Sequence, residues 1–459
     1  MKRSKRLYAL LGVLVAACMA TAVVMRMEED KEQIKATGEI VLAVSPDDVQ
    51  SLRWDYEETS LSFHKDEVWL YDEDETFPVD EETVHDMLEL FESFGVSFII
   101  EDVTDYGMYG LDDPVCTIEF AAGDQSYKME LGDFSSMDAE RYVSIGDGNV
   151  YLAKVDPLET FDAVLSDLID HDETLSYDQV TALSFTGAED YTITWKEEDG
   201  EDVWSAERKS GTLPLDASRV ERYIKNLSGV TLEDYVTYNA GADELAQYGL
   251  EEPELTITVD YTDQDGKNGT YTIALSRDAE ELAAAKEAEA EGKEPEDVTA
   301  YARVGDSAII YRISEYDCDN LMAAGYNDLR SRAVMSVDFE DVTKLDIRLD
   351  GTDYTLTAED EGKNRIWKYG GEEVEIDELQ DALESLQTED AASFTDEKAS
   401  GKEEIRLTLS DAEGELLKIV LCRYDGSDCL AVVDGKTFAR IPRADVVDVV
   451  EAVNAIVLN

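Results

Sequence analysis

The sequence predicts an α+β protein, an N-terminal transmembrane helix followed by three repeated antiparallel-sheet-plus-helix modules. Three observations carry this. A pattern that begins near residue 40 returns twice. Within each copy, alternating apolar runs give way once to helical periodicity. An uncharged stretch, Leu7–Met25, stands ahead of all three copies. The composition agrees: 43% of the 459 residues are hydrophobic and only 8 are proline, which supplies real cores and argues against disorder. A chain of this length suggests about three domains.

Charge removes whole classes of partner. With 107 Asp+Glu against 39 Lys+Arg, the formal net charge is −68. A phosphate backbone needs clustered basic residues, so nucleic acid is excluded as a partner. The same excess opposes docking of the exported part on anionic headgroups.

The N-terminus sets the expected compartment. Lys2, Arg3, Lys5 and Arg6 precede Leu7–Met25, and Glu28, Glu29 and Asp30 follow it. At about 1.5 Å per residue the stretch covers roughly 28 Å, near the hydrocarbon thickness of a bilayer. The positive-inside rule then makes residues 1–27 a signal anchor crossing the cell membrane once through residues 7–25, with the N-terminus cytoplasmic and the rest extracytoplasmic. A lipoprotein is the alternative, because Val15-Ala16-Ala17-Cys18 resembles a lipobox in which Cys18 would be lipidated. Against it, the chain stays apolar through Met25 instead of turning polar at once. Export permits disulfides. Cys422 and Cys429 flank a hairpin signal centred on Asp425-Gly426, where either a cross-strand bond or two reduced thiols fits.

After a linker over 28–39, the repeats occupy 40–172, 173–333 and 334–459, the third divergent. Each opens on an Asp-led step into a strand, at Asp48, Asp178 and Asp341. An alternating strand follows, then a tryptophan: Trp69, Trp204 and Trp367. Next come Pro78-Val79-Asp80, Pro214-Leu215-Asp216 and, more loosely, Glu375-Ile376-Asp377. These Asp residues stand where helix N-caps belong. Beyond them Val84, Met87, Leu88 and Phe91 share one helical face, as do Val220, Tyr223, Ile224 and Leu227, and Leu379, Ala382, Leu383 and Leu386. Tyr109-Gly110-Leu111-Asp112-Asp113-Pro114 matches Tyr248-Gly249-Leu250-Glu251-Glu252-Pro253; the third copy lacks this element. Four strand-like runs close each unit. The second copy also carries an Ala/Glu-rich insertion, 278–297, which reads as a solvated helix.

This arrangement resembles the bacterial domain-of-unknown-function family forty-three-forty. The resemblance is carried by the N-terminal anchor, the tryptophan followed by Pro-hydrophobic-Asp, the Tyr-Gly-Leu-acidic-acidic-Pro element, and closing strands such as Arg141-Tyr142-Val143 to Val150-Tyr151-Leu152. It spans nearly all of the exported part. The family has no established activity. Its members are often encoded near gliding-type ABC transporters, so the resemblance implies an accessory role beside such a membrane protein.

Catalytic signatures are missing from the sequence. His64, His85 and His171 are isolated, without metal-binding or triad spacing. Ser62-Phe63-His64-Lys65 spells the Ser-x-x-Lys of penicillin-binding enzymes, but it lies in an alternating strand without partner motifs. Gly435-Lys436-Thr437 lacks the earlier glycine of a phosphate loop. No cofactor is indicated. Calcium could use Asp72-Glu73-Asp74-Glu75 or the cluster from Asp260 to Asp265, although neither is an EF-hand; acidic hairpin tips are the other reading. The tyrosines of the Tyr-Gly-Leu element and the three tryptophans read as fold determinants more readily than as ligand contacts. The expected function is therefore non-catalytic: a membrane-anchored accessory, scaffold or binding component of a cell-envelope complex, with an ABC transporter as a candidate partner. A cation- or small-ligand-binding ectodomain is the alternative, and an envelope hydrolase the third.

Overall fold

The computed structural model describes residues 33–458 except 199, 209–210 and 362–363. Sheet dominates: three antiparallel sheets of ten, nine and eight strands account for most of the chain, one sheet to each repeat. The chain divides into two compact units, one holding the chain up to Glu173 with Tyr235–Gly241 and Ala308–Ile310, the other Thr174–Asp234, Ala242–Ser307 and Tyr311–Asn459.

In the first sheet the strands are β1 (Gln33–Ala36), β2 (Ile40–Leu42), β3 (Val49–Tyr56), β4 (Thr59–Lys65), β5 (Trp69–Tyr71), β6 (Phe94–Glu101), β7 (Cys116–Ala122), β8 (Gln125–Ser135), β9 (Glu140–Ser144) and β10 (Val150–Ala153). Their order is β1-β6-β10-β9-β8-β7-β3-β4-β5, with β2 also on β6. Thus β3–β5 run outward to one edge, a helix (Glu81–Glu89) follows, and β6 crosses to the far side of the sheet. The second sheet repeats the rule with β11 (Gln179–Gly187), β12 (Tyr191–Glu198), β13 (Glu201–Arg208), β14 (Gly211–Pro214), β15 (Tyr235–Thr237), β16 (Leu255–Thr262), β17 (Asn268–Arg277), β18 (Ala300–Val304) and β19 (Ile310–Ile313), in the order β14-β13-β12-β11-β16-β17-β18-β19-β15. The third has β20 (Lys344–Leu349), β21 (Thr352–Glu361), β22 (Asn364–Tyr369), β23 (Glu372–Val374), β24 (Glu403–Ser410), β25 (Glu415–Arg423), β26 (Asp428–Val433) and β27 (Lys436–Pro442), ordered β23-β22-β21-β20-β24-β25-β26-β27. Its crossing strand is reduced to one bridge, Phe394 to Ala439.

Period-two alternation fixes the register. Leu52 faces Phe63 and Phe120 on its two neighbours, and Trp54 faces Leu61 and Ile118, which makes one buried layer. In the third sheet Leu345 pairs with Leu356 and Leu409, and Leu409 with Leu417, in the same way. The three repeat tryptophans lie on equivalent strands, β5, β13 and β22, and all are buried, so they are core side chains. The first helix of each module packs the expected face inward: Val84, Met87 and Leu88; Val220, Tyr223, Ile224 and Leu227; Leu379 and Leu383.

Several expectations are corrected. The α+β description gives way to a sheet-dominated fold, because the helices are few and mostly short beside strands of up to eleven residues. Residues 7–25 and Cys18 lie outside the described residues, and no helix among the described residues is long and apolar enough to cross a membrane. The single-pass membrane architecture is corrected accordingly. The linker over 28–39 contributes β1, which pairs with β6 from Gln33↔Glu101 to Ala36↔Phe98. Asp80 and Asp216 do cap their helices, accepting from the N–H groups of Glu82 and Thr83 and of Arg219. In the third repeat the cap position is Ile376, with no side-chain bond, and Asp377 is already helical. A second helix closes each module, which the sequence reading did not anticipate: Leu158–Phe161, Glu315–Met322 and Arg443–Val457. In the first repeat it is a single turn, too short to show a period. The insertion forms a helix, Ala279–Ala290, with no buried residue.

Candidate functional site

The Tyr-Gly-Leu element proves to be a helix stop and a plug. In the first repeat a 3-10 turn, Tyr106–Tyr109, ends on Gly110 at φ 68°, and the Leu111 N–H bonds the Tyr106 carbonyl at 3.1 Å. In the second a short helix, Ala242–Gln247, ends through Tyr248 on Gly249 at φ 71°, with the Leu250 N–H on the Leu245 carbonyl. Left-handed φ is what glycine supplies here. Leu111 and Leu250 are buried. Tyr109 lies 4.9 Å from Tyr142 and Tyr248 4.8 Å from Tyr301, tilted 58° and 59°. Pro114 and Pro253 stand just before β7 and β16, which are interior strands, so the missing N–H costs no ladder bond.

Behind this element lie residues that the sequence reading missed. A Cβ on Gly132 would fall 2.0 Å from the Tyr109 carbonyl oxygen, so only glycine permits that approach. The second repeat places Ser276 beside the matching turn, its hydroxyl donating to the Gly249 carbonyl at 2.8 Å. Arg141 donates to the Gly132 carbonyl at 2.8 Å and to Asp156 at 2.7 Å; both side chains of this ion pair are 11% exposed. Arg277 and Glu254 make a two-pronged pair in the second repeat, at 3.2 and 2.6 Å. No spacing signal in one sequence announces such long-range pairs.

The polar clusters are engaged locally. Ser62 donates to Asp72, and His64 Nδ1 lies 2.5 Å from the other oxygen of that carboxylate. The carboxylate thus stands between the hydroxyl and the imidazole, whereas a nucleophile needs its base within hydrogen-bond reach. Asp74 accepts from Thr76 and from Tyr238, whose phenol that bond pushes up to about 12. Asp263 accepts from the N–H groups of Asp265 and Lys267, and Asp260 from Thr270. Among the described residues no three His, Cys, Asp or Glu side chains gather as a metal site. Cys422 and Cys429 are both free, and the register explains it: Cys422 faces Leu430 and Cys429 faces Arg423, so the two thiols leave opposite faces of the sheet. Burial pushes the Cys429 thiol up to about 11.

One concavity combines apolar lining with a uniform charge. A groove of about 670 Å³ in the third repeat is lined by Tyr369, Val374, Leu379, Ala452, Ile456 and Val457. Glu372, Glu373, Glu375, Asp377 and Glu378 also line it, and no basic residue does. It is bounded by edge strand β23, the start of the first helix and the last turns of the closing helix.

The same place is filled in the other repeats. After the closing turn of the first repeat the chain returns to Pro78-Val79-Asp80: Ile169 bridges Val79 antiparallel, the Asp80 N–H bonds the Leu168 carbonyl, and the Asp170 N–H bonds the Pro78 carbonyl, both at 2.8 Å. Leu168 and Ile169 are buried there. In the second repeat the Asp216 N–H bonds the Leu329 carbonyl at 3.0 Å, and Leu329 is buried. Among the described residues of the third repeat, no returning segment bridges or bonds the backbone of Val374–Asp377. The candidate site is this open counterpart of two closed ones.

The topology defines a repeat protein whose modules share one strand order. The family model of a domain of unknown function, DUF4340, matches residues 69–236 and again 208–408, and the chain belongs to that family. Each match begins close to a repeat tryptophan and runs on through the first helix of the next repeat. No curated protein and no solved structure matches the chain.

Proposed function

We propose that this protein is a non-catalytic binding component, an accessory or scaffold subunit of a larger assembly, and that its binding surface is the groove of the third repeat. One observation carries the reading: a returning segment bonds the N-cap N–H of the first helix in the first and second repeats, whereas among the described residues none does so in the third, where a groove of apolar and carboxylate side chains lies at that place. A concave site that joins apolar side chains to charged ones offers a partner both buried area and a charge to match. An ABC transporter is the partner class that the family resemblance implies.

The test compares the tagged full chain with its Glu375→Lys/Glu378→Lys variant, both expressed in the native cells and recovered with quantitative mass spectrometry. These two carboxylates are exposed, so the fold should tolerate their reversal. The expected result is a small set of partners lost with the groove variant and retained by a charge reversal at Glu159 of the first repeat. Identical partner sets for all three proteins would overturn the reading.

A further inference from the structure

We infer that the groove is completed by an extended segment of a partner protein, apolar at its centre and basic on its flanks, which adds alongside Val374–Asp377 as Leu168–Asp170 adds alongside Pro78–Asp80. The inference rests on the binding reading above and names the ligand of that same site.

Two independent observations define the segment. The first is internal: the molecule shows twice what this place accepts. In the first repeat the occupant leaves a 3-10 turn, Leu165–Leu168, runs extended from Ile169, exchanges backbone hydrogen bonds on both sides of Ile169, and buries Leu168 and Ile169. In the second it presents the Leu329 carbonyl to the N-cap N–H and buries the Leu329 side chain. Both occupants place one or two branched aliphatic side chains there and attach through the backbone; the first does so by the two-sided exchange of strand addition, the second by the last carbonyl of a helical turn, Tyr326–Leu329. The third repeat keeps the receiving parts. Among the described residues its edge strand β23 pairs only with β22, as β14 of the second repeat pairs only with β13. Val374, Ile456 and Val457 are half-buried against the core and supply an apolar seat.

The second observation is charge. The internal return of the first repeat carries its own acid, Asp170, beside a wall that includes Asp80. The groove of the third repeat presents five carboxylates without a lining cation. A segment copied from the first repeat would be repelled there, whereas lysine or arginine on either side of the aliphatic pair would be attracted. Complementary charge of this kind sets partner choice and on-rate, and salt weakens it.

The experiment titrates the full chain into fluorescein-labelled peptides read by anisotropy. The main probe has a Leu-Ile centre flanked by two lysines on each side. The second is the same peptide N-methylated at the residue after the isoleucine, which removes the N–H that Asp170 uses in the first repeat. The third replaces the lysines with glutamates. Saturable binding of the first is expected, at least tenfold weaker for each of the other two, for the Glu375→Lys/Glu378→Lys chain, and on raising the salt from 50 to 500 mM. No saturable binding of the first peptide, or equal binding of the first and second, would overturn strand addition. Equal binding of the first and third would overturn the charge assignment. If the peptides fail while the groove variant still loses its cellular partners, the binding reading stands and this occupant is wrong. If the variant keeps every partner, both fall.

Discussion

The first and third repeats share a strand order and differ in how they finish. The first ends in a single helical turn, Leu158–Phe161, and a return segment that seals its own edge. Phe161 is fully buried, with its ring centroid 5.6 Å from Trp54 and 5.8 Å from Phe91. The third ends in a fifteen-residue helix whose Val446, Val449, Ala452 and Val453 are buried while Ile456 and Val457 are only half-covered. The closing element of one scaffold is therefore a plug in the first repeat and one wall of a groove in the third. The third copy lacks the Tyr-Gly-Leu element in its sequence and the side-chain helix cap in its structure, and only the second of these losses falls beside the groove.

The contrast is broken most directly by truncating the two endings. Phe161→Ala should cost about 3–5 kcal/mol, the range for deleting a fully buried phenylalanine that cannot be replaced by collapse. Ile456→Ala, at the groove, should cost less than half of that while abolishing peptide binding. Urea unfolding of each variant, with hydrogen exchange to locate the affected sheet, checks both. Equal costs would mean that Ile456 belongs to the core of the third repeat and that the groove is a packing defect.

A second comparison sets the two Tyr-Gly-Leu turns side by side. An alanine at Gly110 or Gly249 must adopt positive φ, worth about 1–2 kcal/mol. At Gly110 its Cβ would also fall 2.7 Å from the Asp133 carboxyl and 2.8 Å from the Asp133 backbone nitrogen. At Gly249 the nearest atom is the Ser276 Cβ at 3.2 Å, and no backbone atom is crowded. Gly110→Ala should therefore lower the urea midpoint of its sheet by more than Gly249→Ala lowers that of the second. The reverse order would show that the approach of Asp133 to Gly110 is looser than the geometry implies.

Much of this was legible in the residues, and what was not has a physical reason. Alternation and helical periodicity are local, so the strands, the first helix of each module and the buried tryptophans could be read directly. The crossing of β6 to the far edge depends on which strands pair, information held in no short window. The closing turn at Phe161 has too few residues to show a period. The Cys422–Cys429 geometry turned on a one-residue register, and a slip of one reverses the face of every side chain. The groove was illegible for a further reason: it is defined by what runs along the same edge in the other two repeats.

The smallest expected effect concerns the outer face, where the repeats differ in chemistry though not in fold. The hydrogen bond to Asp72 holds the His64 imidazole above its ordinary value. Partial burial works against ionised Asp72, but hydrogen bonds from Ser62 and His64 outweigh it and hold the carboxyl low. A raised histidine pKa stabilises the fold fully below the unfolded value, near 6.5, and the contribution is lost as pH rises through the folded value. A depressed carboxyl contributes above its unfolded value and loses its contribution as pH falls through the folded one. The pair is therefore intact between the depressed Asp72 and the raised His64 titrations. On β12 of the second repeat the corresponding outward positions are Thr192 and Thr194, facing Ser184 and Ser205 through neutral hydroxyls, so that face has nothing to titrate near neutrality. Proton NMR of the full chain should give a His64 midpoint above 6.5 that falls in the Asp72→Asn variant. Both side chains are more than a third exposed, so salt should erode the shift and the accompanying change in stability should be slight. An unchanged midpoint in Asp72→Asn would mean that the whole acidic surface, and not this contact, raises the imidazole, and the outer faces of the repeats would then differ less than their residues suggest.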